Sequence, residues 1–385
     1  MQVYFDNAAT TQIHPEVAEE VMKVMLEVYG NPSSTHSIGR TAKSYVENAR
    51  KTIAQYLNCE AGEIFFTSGG TEADNLVLNS AVRDLEVKRI ITSKIEHHAV
   101  LHAAQELVER YSVEISYVKL KSCGTPDEYH LEQLLKESSK KTLVSLMHVN
   151  NEIGNMIDIT AITKLCKVHN ALIHSDMVQS IGHYSIDLQK IPVDYIAASA
   201  HKFHRPKGIG FAFIRKNSGL KPLIFGGSQE RGLRAGTEPV HNIVGLEKSL
   251  KMAYDNLEKD RLYIQGIKNY FAQRLRDEIP DVRLNGNCGF SDKSTYTLLN
   301  VWLPVPQEKS LMLLFQLDLK GIACSKGSAC QSGSDKGSHV LREVVPPEHL
   351  DKPSVRFSFS SYNTKEEVDY VMTVLKEFMG VTTSC

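Results

Sequence analysis

The sequence predicts an α/β fold that has one large domain and a smaller α+β domain. The chain has 385 residues, more than twice the roughly 150 residues of a typical domain. Short apolar runs alternate with helical patterns over the N-terminal half, and this alternation is typical of a mostly parallel sheet covered by helices. After Pro280 the order of the patterns changes to strand, helix, loop, strand and helix, which indicates the second, smaller unit.

The predicted elements of the large domain follow from apolar periodicity and from stop signals. Pro15 to Tyr29 has apolar residues on one helical face, and Gly30 and Asn31 after it favour a helix end. Further helices are predicted at 73–85, 99–111 and 159–169. The strand candidates are 64–67, 89–92, 113–118, 142–149, 171–174, 195–198 and 210–214. Together these segments predict the sheet and the helices that cover it.

The predicted small domain begins near the end of one long helical pattern, from about Val240 to Ile279. The patterns that follow are a strand at 296–302, a helix at 307–320, a loop rich in glycine and serine at 327–338 and a strand at 355–359. Thr364 and Glu367 have the spacing of a capping box at the start of the last helix. We therefore expect residues 15–255 to form the large domain, and residues 1–14 with 256–385 to form the small domain that carries the cysteine loop.

The composition indicates a globular protein and excludes several classes. Hydrophobic residues make up 42% of the chain and charged residues 23%, which excludes an acidic disordered protein. Lysine and arginine (44) balance aspartate and glutamate (45), so nucleic-acid binding through bulk charge is not expected, although the balance leaves room for a local basic patch. No apolar run approaches the roughly 18 residues of a membrane span, and no secretory signal is visible at the start of the chain. With seven cysteines, too few for a disulfide scaffold, we expect a cytoplasmic protein with free thiols.

A turn between a strand and a helix indicates an anion site. Thr67 to Thr71 (TSGGT) joins the strand at 64–67 to the following helix through Gly69 and Gly70. Such a turn directs backbone N–H groups and the positive end of the helix dipole at an anion, usually a phosphate. Taken alone the motif is weak, because a Gly-Gly turn is more often only a helix start.

An acid and a lysine follow two other predicted strands. Asp176 ends one apolar strand, and Ser199 to Lys202 (SAHK) ends another. Ligand sites of α/β folds lie at the carboxyl ends of strands, so these groups can share one cleft. Lys202 alone is more simply explained as a surface lysine beside a core histidine. With the phosphate turn and Asp176 it predicts pyridoxal phosphate, which uses a lysine for a Schiff base, an acid for its ring nitrogen and N–H groups for its phosphate.

Two cysteines lie in or near the glycine- and serine-rich loop. Cys330 has Lys326 and Lys336 nearby, and a polar, accessible setting of this kind favours thiolate character. A metal site is the alternative. The five residues between Cys324 and Cys330, with no further paired cysteine or histidine, fit no common zinc pattern, so no metal is expected.

Ordered motifs along nearly the whole chain resemble those of one family. They are YFDNAATT at 4–11, GNPSS at 30–34, TSGGTE at 67–72, EH at 96–97, NNEIG at 150–154, SAHK at 199–202, QERGLRAGT at 229–237 and VRFS at 355–358. The chain resembles a cysteine desulfurase of the class V aminotransferase, fold-type I pyridoxal-phosphate superfamily. The long loop with GSAC at 327–330 resembles the iron–sulfur assembly branch of that family.

The resemblance implies a set of cofactor-binding residues. Lys202 would form the covalent link to pyridoxal phosphate, His97 would stack on its ring, and Asp176 would pair with the ring nitrogen. Thr237 would reach the phosphate from the other subunit of a homodimer. The remaining implied cofactor contacts are Gly70, Thr71, Asn151, Gln179, Ser199 and His201.

The resemblance also implies a reaction. Asn151 and Arg356 would bind the carboxylate of L-cysteine, and Lys202, His97 and Cys330 would be the catalytic residues, with Cys330 accepting the sulfur as a persulfide. The product would be L-alanine, and the sulfur would pass to an acceptor protein such as an iron–sulfur scaffold or a tRNA-thiolation relay. A selenocysteine lyase, an aminotransferase and a non-enzymatic sulfur-handling adaptor stay open as alternatives.

One departure from the family pattern lies close to Lys202. Relatives usually have an aromatic residue and a glycine before Pro-Lys-Gly, whereas this chain has His204 and Arg205. A cation near the lysine would lower its pKa, and a solvated arginine would not. We expect Arg205 to be a surface or partner-contact residue.

Overall fold

The computed structural model describes residues 1–290, 292–326 and 337–380. Its large part is built on a seven-stranded sheet in the order β2-β8-β7-β6-β5-β3-β4. The strands of the described residues are β1 (Val3–Tyr4), β2 (Ile64–Thr67), β3 (Arg89–Thr92), β4 (Glu114–Tyr117), β5 (Thr142–Ser145), β6 (Leu172–Asp176), β7 (Tyr195–Ser199), β8 (Gly210–Ile214), β9 (Arg283–Leu284), β10 (Leu298–Trp302), β11 (Ile322–Ala323) and β12 (Ser354–Ser358).

Helices cover the sheet and complete the smaller part. They are α1 (Pro15–Glu27), α2 (Ser37–Tyr56), α3 (Gly70–Asp84), α4 (His98–Tyr111), α5 (Glu128–Lys136), α6 (Ile159–Val168), α7 (Val240–Asp255), α8 (Leu257–Glu278), α9 (Gln307–Ser310), α10 (Leu313–Leu319), α11 (His339–Val344) and α12 (Lys365–Met379). None of the helices in the described residues combines the length and the apolar character that a membrane span requires.

The direction of the strands places most of their carboxyl ends at the same edge of the sheet. Neighbouring strands from β7 through β6, β5 and β3 to β4 pair in parallel, and only β8 runs against the strands on both its sides. The loops that leave β2, β3, β5, β6 and β7 therefore start from one edge, where α/β sheets bind ligands. The expected α/β class with a mostly parallel sheet is confirmed.

Each face of the large sheet buries its own apolar cluster. On one face Ile196, Phe211 and Phe213 are fully buried and belong to the cluster that includes residues of α2 and α7. On the other face the cluster joins α3 and α4 to Tyr195 and Ala212. Alternate residues of β7 and β8 thus point to opposite layers, as the two-residue period of a strand requires.

The smaller part has a separate apolar cluster. Its sheet is antiparallel, with β10 between β9 and β12, and β1 pairs in parallel with β11. Phe5, Phe271, Phe357 and Phe359 are buried there and contact one another edge to face or tilted. The N-terminal residues therefore pack with the C-terminal part of the chain. The expected domain boundaries at 14/15 and 255/256 stay a prediction.

One long helix from 240 to 279 was expected, and the structure has two. The break lies at Asn256, whose side-chain amide and backbone N–H both bond to the Met252 carbonyl. The side-chain amide of an asparagine competes with backbone N–H groups for such a carbonyl. This competition favours the end of a helix at that position. The helix expected at 307–320 is likewise divided into α9 and α10. The capping box of Thr364 and Glu367 is confirmed.

The prediction that Arg205 is a surface or partner-contact residue is wrong. Its side chain is only 1% exposed and packs against Gly245 of α7. One guanidinium nitrogen donates to the Asn242 carbonyl, while Nε and Nη1 have no partner among the described residues. Burial lowers the pKa of Arg205 well below its usual value. Sequence reasoning missed this because the neighbouring residues Pro206, Lys207 and Gly208 are typical of an exposed turn.

Replacing Arg205 should stabilise the fold. Arg205→Met removes a buried cation that has no carboxylate partner and keeps most of the apolar stem, so we expect the free energy of unfolding to rise by about 1 to 3 kcal/mol. Arg50→Met is the matched control, because Arg50 is equally buried but paired with Glu230 at 2.8 and 2.9 Å. That control should destabilise the protein. Urea unfolding measures both, and a less stable Arg205→Met variant would contradict the prediction.

Candidate active site

A cavity of about 200 Å³ lies where β6 and β7 end. It contains ten of the residues predicted from the sequence, brought together from both parts of the chain. The predicted residues that line it are Gly70, Thr71, His97, Asn151, Asp176, Gln179, Ser199, His201, Lys202 and Arg356. Ala8, Ala9, Asp74, Met147 and Val178 complete the lining.

Lys202 enters the cavity from a short turn directly after β7. Residues 200–202 form one 3₁₀ turn, and the Lys202 ammonium donates to the carbonyls of Ala8 at 2.7 Å and Ala9 at 2.8 Å. These carbonyls belong to the N-terminal segment that packs with the smaller part. The amine therefore sits between the two parts of the chain, within reach of a ligand in the cavity.

Asp176 is the last residue of β6 and is buried in the wall of the same cavity. Burial raises the pKa of its carboxyl to about 6, while the Val178 N–H, which donates to Oδ1 at 2.9 Å, and the charge of Lys202 lower it. A carboxylate in this setting gains most from a cationic N–H partner, because such a partner replaces the lost water. The site can hold a protonated ring nitrogen.

The turn after β2 forms another part of the cavity wall, with a shape that suits an anion. α3 begins at Gly70, and a Cβ at that position would lie 2.6 Å from the Val178 side chain. Only glycine lets the backbone approach this closely, and the free N–H groups of the first turn then face the ligand. Ser199 and His201 lie beside it, and burial followed by the charge of Lys202 lowers the pKa of His201 to about 4.

His97 presents a neutral ring to the cavity. It is the N-cap of α4, and its Nδ1 accepts a hydrogen bond from the Ala99 N–H at 3.2 Å, which sets the direction of the ring. Burial, and after it the charge of Lys202, lowers the pKa of His97 to about 4. A neutral imidazole held in this way can stack on a flat heteroaromatic ring.

Arg356 brings a cation from β12 of the smaller part. Its side chain is 1% exposed, and it donates to Asp6 Oδ1 and to the Asn151 carbonyl, both at 2.8 Å. Its Nε is buried without a hydrogen-bond partner in the described residues. Arg356 lies with Asn151 at the rim of the cavity, where a substrate carboxylate would satisfy the remaining donor.

Sequence reasoning missed a buried acid in the wall of the cavity. Asp74 is buried one turn into α3, with Oδ1 3.3 Å from Nε2 of His174, whose Nδ1 bonds to Ser145 at 2.9 Å. Burial and the neighbouring Asp176 raise the pKa of Asp74 well above its usual value. The sequence contains a signal that could have identified Asp74. It is four residues after Gly70 and so lies on the same face of α3.

Glu96, the acid directly before His97, is a further buried residue for which the sequence predicted no role. It is buried, and its carboxylate accepts hydrogen bonds from the Ser93 hydroxyl at 2.7 Å and the Met147 N–H at 2.8 Å. Burial raises the pKa of Glu96 to about 8. It joins the loops that follow β3 and β5, and so holds His97 in place.

One predicted residue of the described part of the chain, Thr237, does not reach this cavity, and another, Cys330, lies outside the described residues. Thr237 is exposed and does not line it, and the expected contact from a second subunit is not tested by one chain. The described residues before and after the segment that carries Cys330 both contact residues of the site. Ser325 bonds to Asp6 and pairs with Arg356, and His339 Nε2 lies 2.9 Å from the Glu96 carbonyl.

Asp176→Asn should bind the cofactor and lose most activity. An asparagine is close in shape, but it cannot hold a proton on the ring nitrogen by charge, so we expect turnover of L-cysteine to fall about a hundredfold or more. Alanine release under saturating L-cysteine and cofactor measures the effect. Asp281→Asn, an acid outside the cavity, should keep normal turnover. Near-normal turnover of Asp176→Asn would contradict the role given to this carboxylate.

Comparison with known proteins agrees with this arrangement. Residues 3–371 match the aminotransferase class-V family. The chain belongs to this family. It is 38% identical over 380 residues to a cysteine desulfurase IscS of Dictyoglomus turgidum, with 98% of this chain and 94% of the relative covered.

Solved structures of family members are similar over almost the whole chain. A NifS-like protein has 34% identity and a TM-score of 0.90, with 99% of this chain and 100% of the other covered. SspA, solved in complex with cysteine, has 30% identity and a TM-score of 0.81, with 94% and 100% covered. The expected superfamily and its fold are confirmed.

Proposed function

We propose that this protein is a pyridoxal-phosphate-dependent cysteine desulfurase that supplies sulfur for iron–sulfur cluster assembly or tRNA thiolation. The observation that carries the proposal is one cavity with four matched groups: the Lys202 amine, the Asp176 carboxylate, the His97 ring and the N-terminus of α3. Full-length similarity to IscS relatives and to a protein solved with cysteine supports the substrate.

The residues of the cavity fit the cofactor group by group. The Gly70 turn fits a phosphate, because a side chain there would close it. Asp176 fits a protonated pyridine nitrogen, and Gln179, Ser199 and His201 offer polar groups near the ring and phosphate. When bound, pyridoxal phosphate supplies an electron sink for the α-carbon of an amino acid.

The remaining residues bind the substrate and move protons. Arg356 and Asn151 hold the carboxylate of L-cysteine at the rim, which points its α-carbon toward Lys202. The Lys202 amine, once released, is placed to take the α-proton, and the carbonyls of Ala8 and Ala9 stabilise its charged form. In the net reaction the C–S bond of cysteine breaks, sulfur joins the Cys330 thiol as a persulfide, and L-alanine leaves.

Most of the described cysteines make poor sulfur acceptors. Burial raises the pKa of Cys59, Cys166 and Cys324 to about 12, so these thiols carry almost no thiolate at neutral pH. Cys324 is the nearest of these along the chain to Cys330, and the Asp6 carboxylate contributes to its raised pKa. Burial opposes ionisation of Cys123, but hydrogen bonds from Thr125 lower its pKa on balance; Cys123 does not line the cavity. Cys330 therefore stays the proposed acceptor, and its segment begins and ends beside the cavity.

A homodimer is part of the proposal. Met22, Met25 and Leu26 of α1 are 60%, 57% and 75% exposed, and Tyr29 after the helix is 75% exposed. Four large apolar side chains in one stretch form a surface that a second copy of the chain would cover. Thr237 would then contact the phosphate of its partner.

Two enzymatic alternatives use the same cavity. A selenocysteine lyase would release alanine from L-selenocysteine and little from L-cysteine. An aminotransferase would need a keto acid and would make no persulfide. Comparing alanine release from the two amino acids, with and without pyruvate or 2-oxoglutarate, separates all three. A protein that turns over neither amino acid would support the non-enzymatic, sulfur-handling adaptor.

The deciding experiment maps the persulfide. Purified protein is incubated with L-cysteine, the thiols are alkylated without reduction, and peptides are analysed by mass spectrometry. We expect one added sulfur on the peptide that contains Cys330 and one alanine per persulfide formed. Alanine without any persulfide, or a persulfide confined to another cysteine, would overturn the proposal.

A further inference from the structure

A second cavity, larger than the candidate active site, lies between the two parts of the chain. Its volume is about 480 Å³, within the range of cavities that bind small molecules. It is formed by the start of α1, the C-terminal half of α7, the start of α8 and the turns at 182–183, 203–204 and 361–362. It shares no lining residue with the candidate active site.

Aromatic and histidine rings form part of the walls of this cavity. Tyr263, Tyr296 and Tyr362 line it together with His14, His183, His204 and Phe203. Hydrogen bonds fix two of the rings, since the Tyr263 hydroxyl donates to the Asn363 carbonyl at 2.8 Å and the Tyr296 hydroxyl to the His183 carbonyl at 3.0 Å. Tyr362 packs edge to face on His204, with 5.1 Å between the ring centres.

One carboxylate faces these rings. Asp260 lines the cavity and is half-buried, and no described side chain forms an ion pair or hydrogen bond with its carboxylate. Its charge acts on two of these rings. Burial raises the pKa of the Tyr362 hydroxyl and Asp260 raises it further, and Asp260 also adds to the raised pKa of Tyr296.

The other charges leave room for a cation. Burial lowers the pKa of His183 to about 4 and lowers that of His204, so both rings are neutral at neutral pH. Lys259 and His14 also line the cavity, and their charges oppose the rise in the pKa of Asp260 that burial causes, but neither side chain forms an ion pair with Asp260. Arg261, the next basic residue, does not line the cavity and is paired with Glu258.

We propose that this cavity is a binding site for a small organic cation, a molecule that joins an ammonium or amidinium group to a flat or apolar body. The faces of tyrosine rings attract a cation electrostatically, and a nearby carboxylate adds charge complementarity. The site is independent of the proposed sulfur chemistry. It also lies beside the active-site turn, because His183 lines it while His183 Nε2 is 3.0 Å from the Lys202 carbonyl.

Three probes of similar shape and different charge test the proposal on the full-length, cofactor-loaded protein. Isothermal titration calorimetry at neutral pH compares benzamidine (a cation), benzyl alcohol (neutral) and benzoate (an anion). We expect benzamidine to bind with millimolar or better affinity, benzyl alcohol at least tenfold more weakly, and benzoate not at all. Equal binding of the three, or no heat from benzamidine up to 10 mM, would overturn the proposal.

Variants of two adjacent residues should shift the affinity in opposite directions. Asp260→Asn should weaken benzamidine about tenfold, whereas Lys259→Met should strengthen it, because it removes the competing cation. Asp277→Asn, on the same helix but outside the cavity, is the control and should bind as the parent does. Tyr362→Leu, at a partly exposed position, tests the rings and should also weaken binding. Unchanged affinity in both Asp260→Asn and Tyr362→Leu would place the probe elsewhere.

Discussion

Lys202→Ala is expected to lose all covalent attachment of the cofactor and all turnover of L-cysteine. The Lys202 amine ends in the cavity opposite Asp176, and no other lysine of the described residues lines that cavity. A Schiff base needs a primary amine, so no neighbour can replace it. We expect activity to fall below detection, even when the variant still binds cofactor through the phosphate turn at Gly70.

Borohydride reduction followed by intact-protein mass spectrometry measures the covalent link. The parent should gain the mass of one reduced cofactor, and Lys202→Ala should gain none. Lys207→Ala is the matched control, because Lys207 is exposed five residues further along the same turn and does not line the cavity. A reduced adduct on Lys202→Ala would show that another lysine holds the cofactor.

Cys330→Ser is expected to bind cofactor and L-cysteine normally and to form no persulfide. Serine keeps the size of the side chain but is a far weaker nucleophile toward sulfur. The described chain stops at Lys326, just after Ser325, which pairs with Arg356. It resumes at Gly337, just before Ser338, whose hydroxyl donates to Glu152. Both described ends are attached next to residues that line the cavity, which supports Cys330 as the proposed acceptor.

The comparison with Cys324→Ser makes this prediction specific. Burial and Asp6 raise the pKa of Cys324 to about 12, so its removal should change alanine release less than twofold. Persulfide mapping and alanine release are measured on both variants. Loss of the persulfide in Cys324→Ser but not in Cys330→Ser would reverse the assignment of the acceptor.

Local pattern predicted most of the elements that carry the site. The strands that end at Thr67, Asp176 and Ser199 were recognised from apolar runs, and the structure places the residues after them at one edge of the sheet. This succeeded because parallel strands in one sheet share a direction, so their carboxyl ends meet wherever the helices go. The sequence alone therefore predicted that these functional groups lie close together.

The sequence by itself determined the α/β class, the helix and strand positions that depend on periodicity and capping, and the residue types at the strand ends. Only the tertiary structure decided which distant residues meet: Arg356 contacts Asp6 across 350 positions, and Asp74 of α3 lies against His174 of β6. It also decided that Arg205 is buried and that a cavity lined in part by aromatic rings includes Asp260. The physical reason is that periodicity and capping act within a few residues, whereas burial and pairing of charges depend on which surfaces pack together, and no local pattern contains that information.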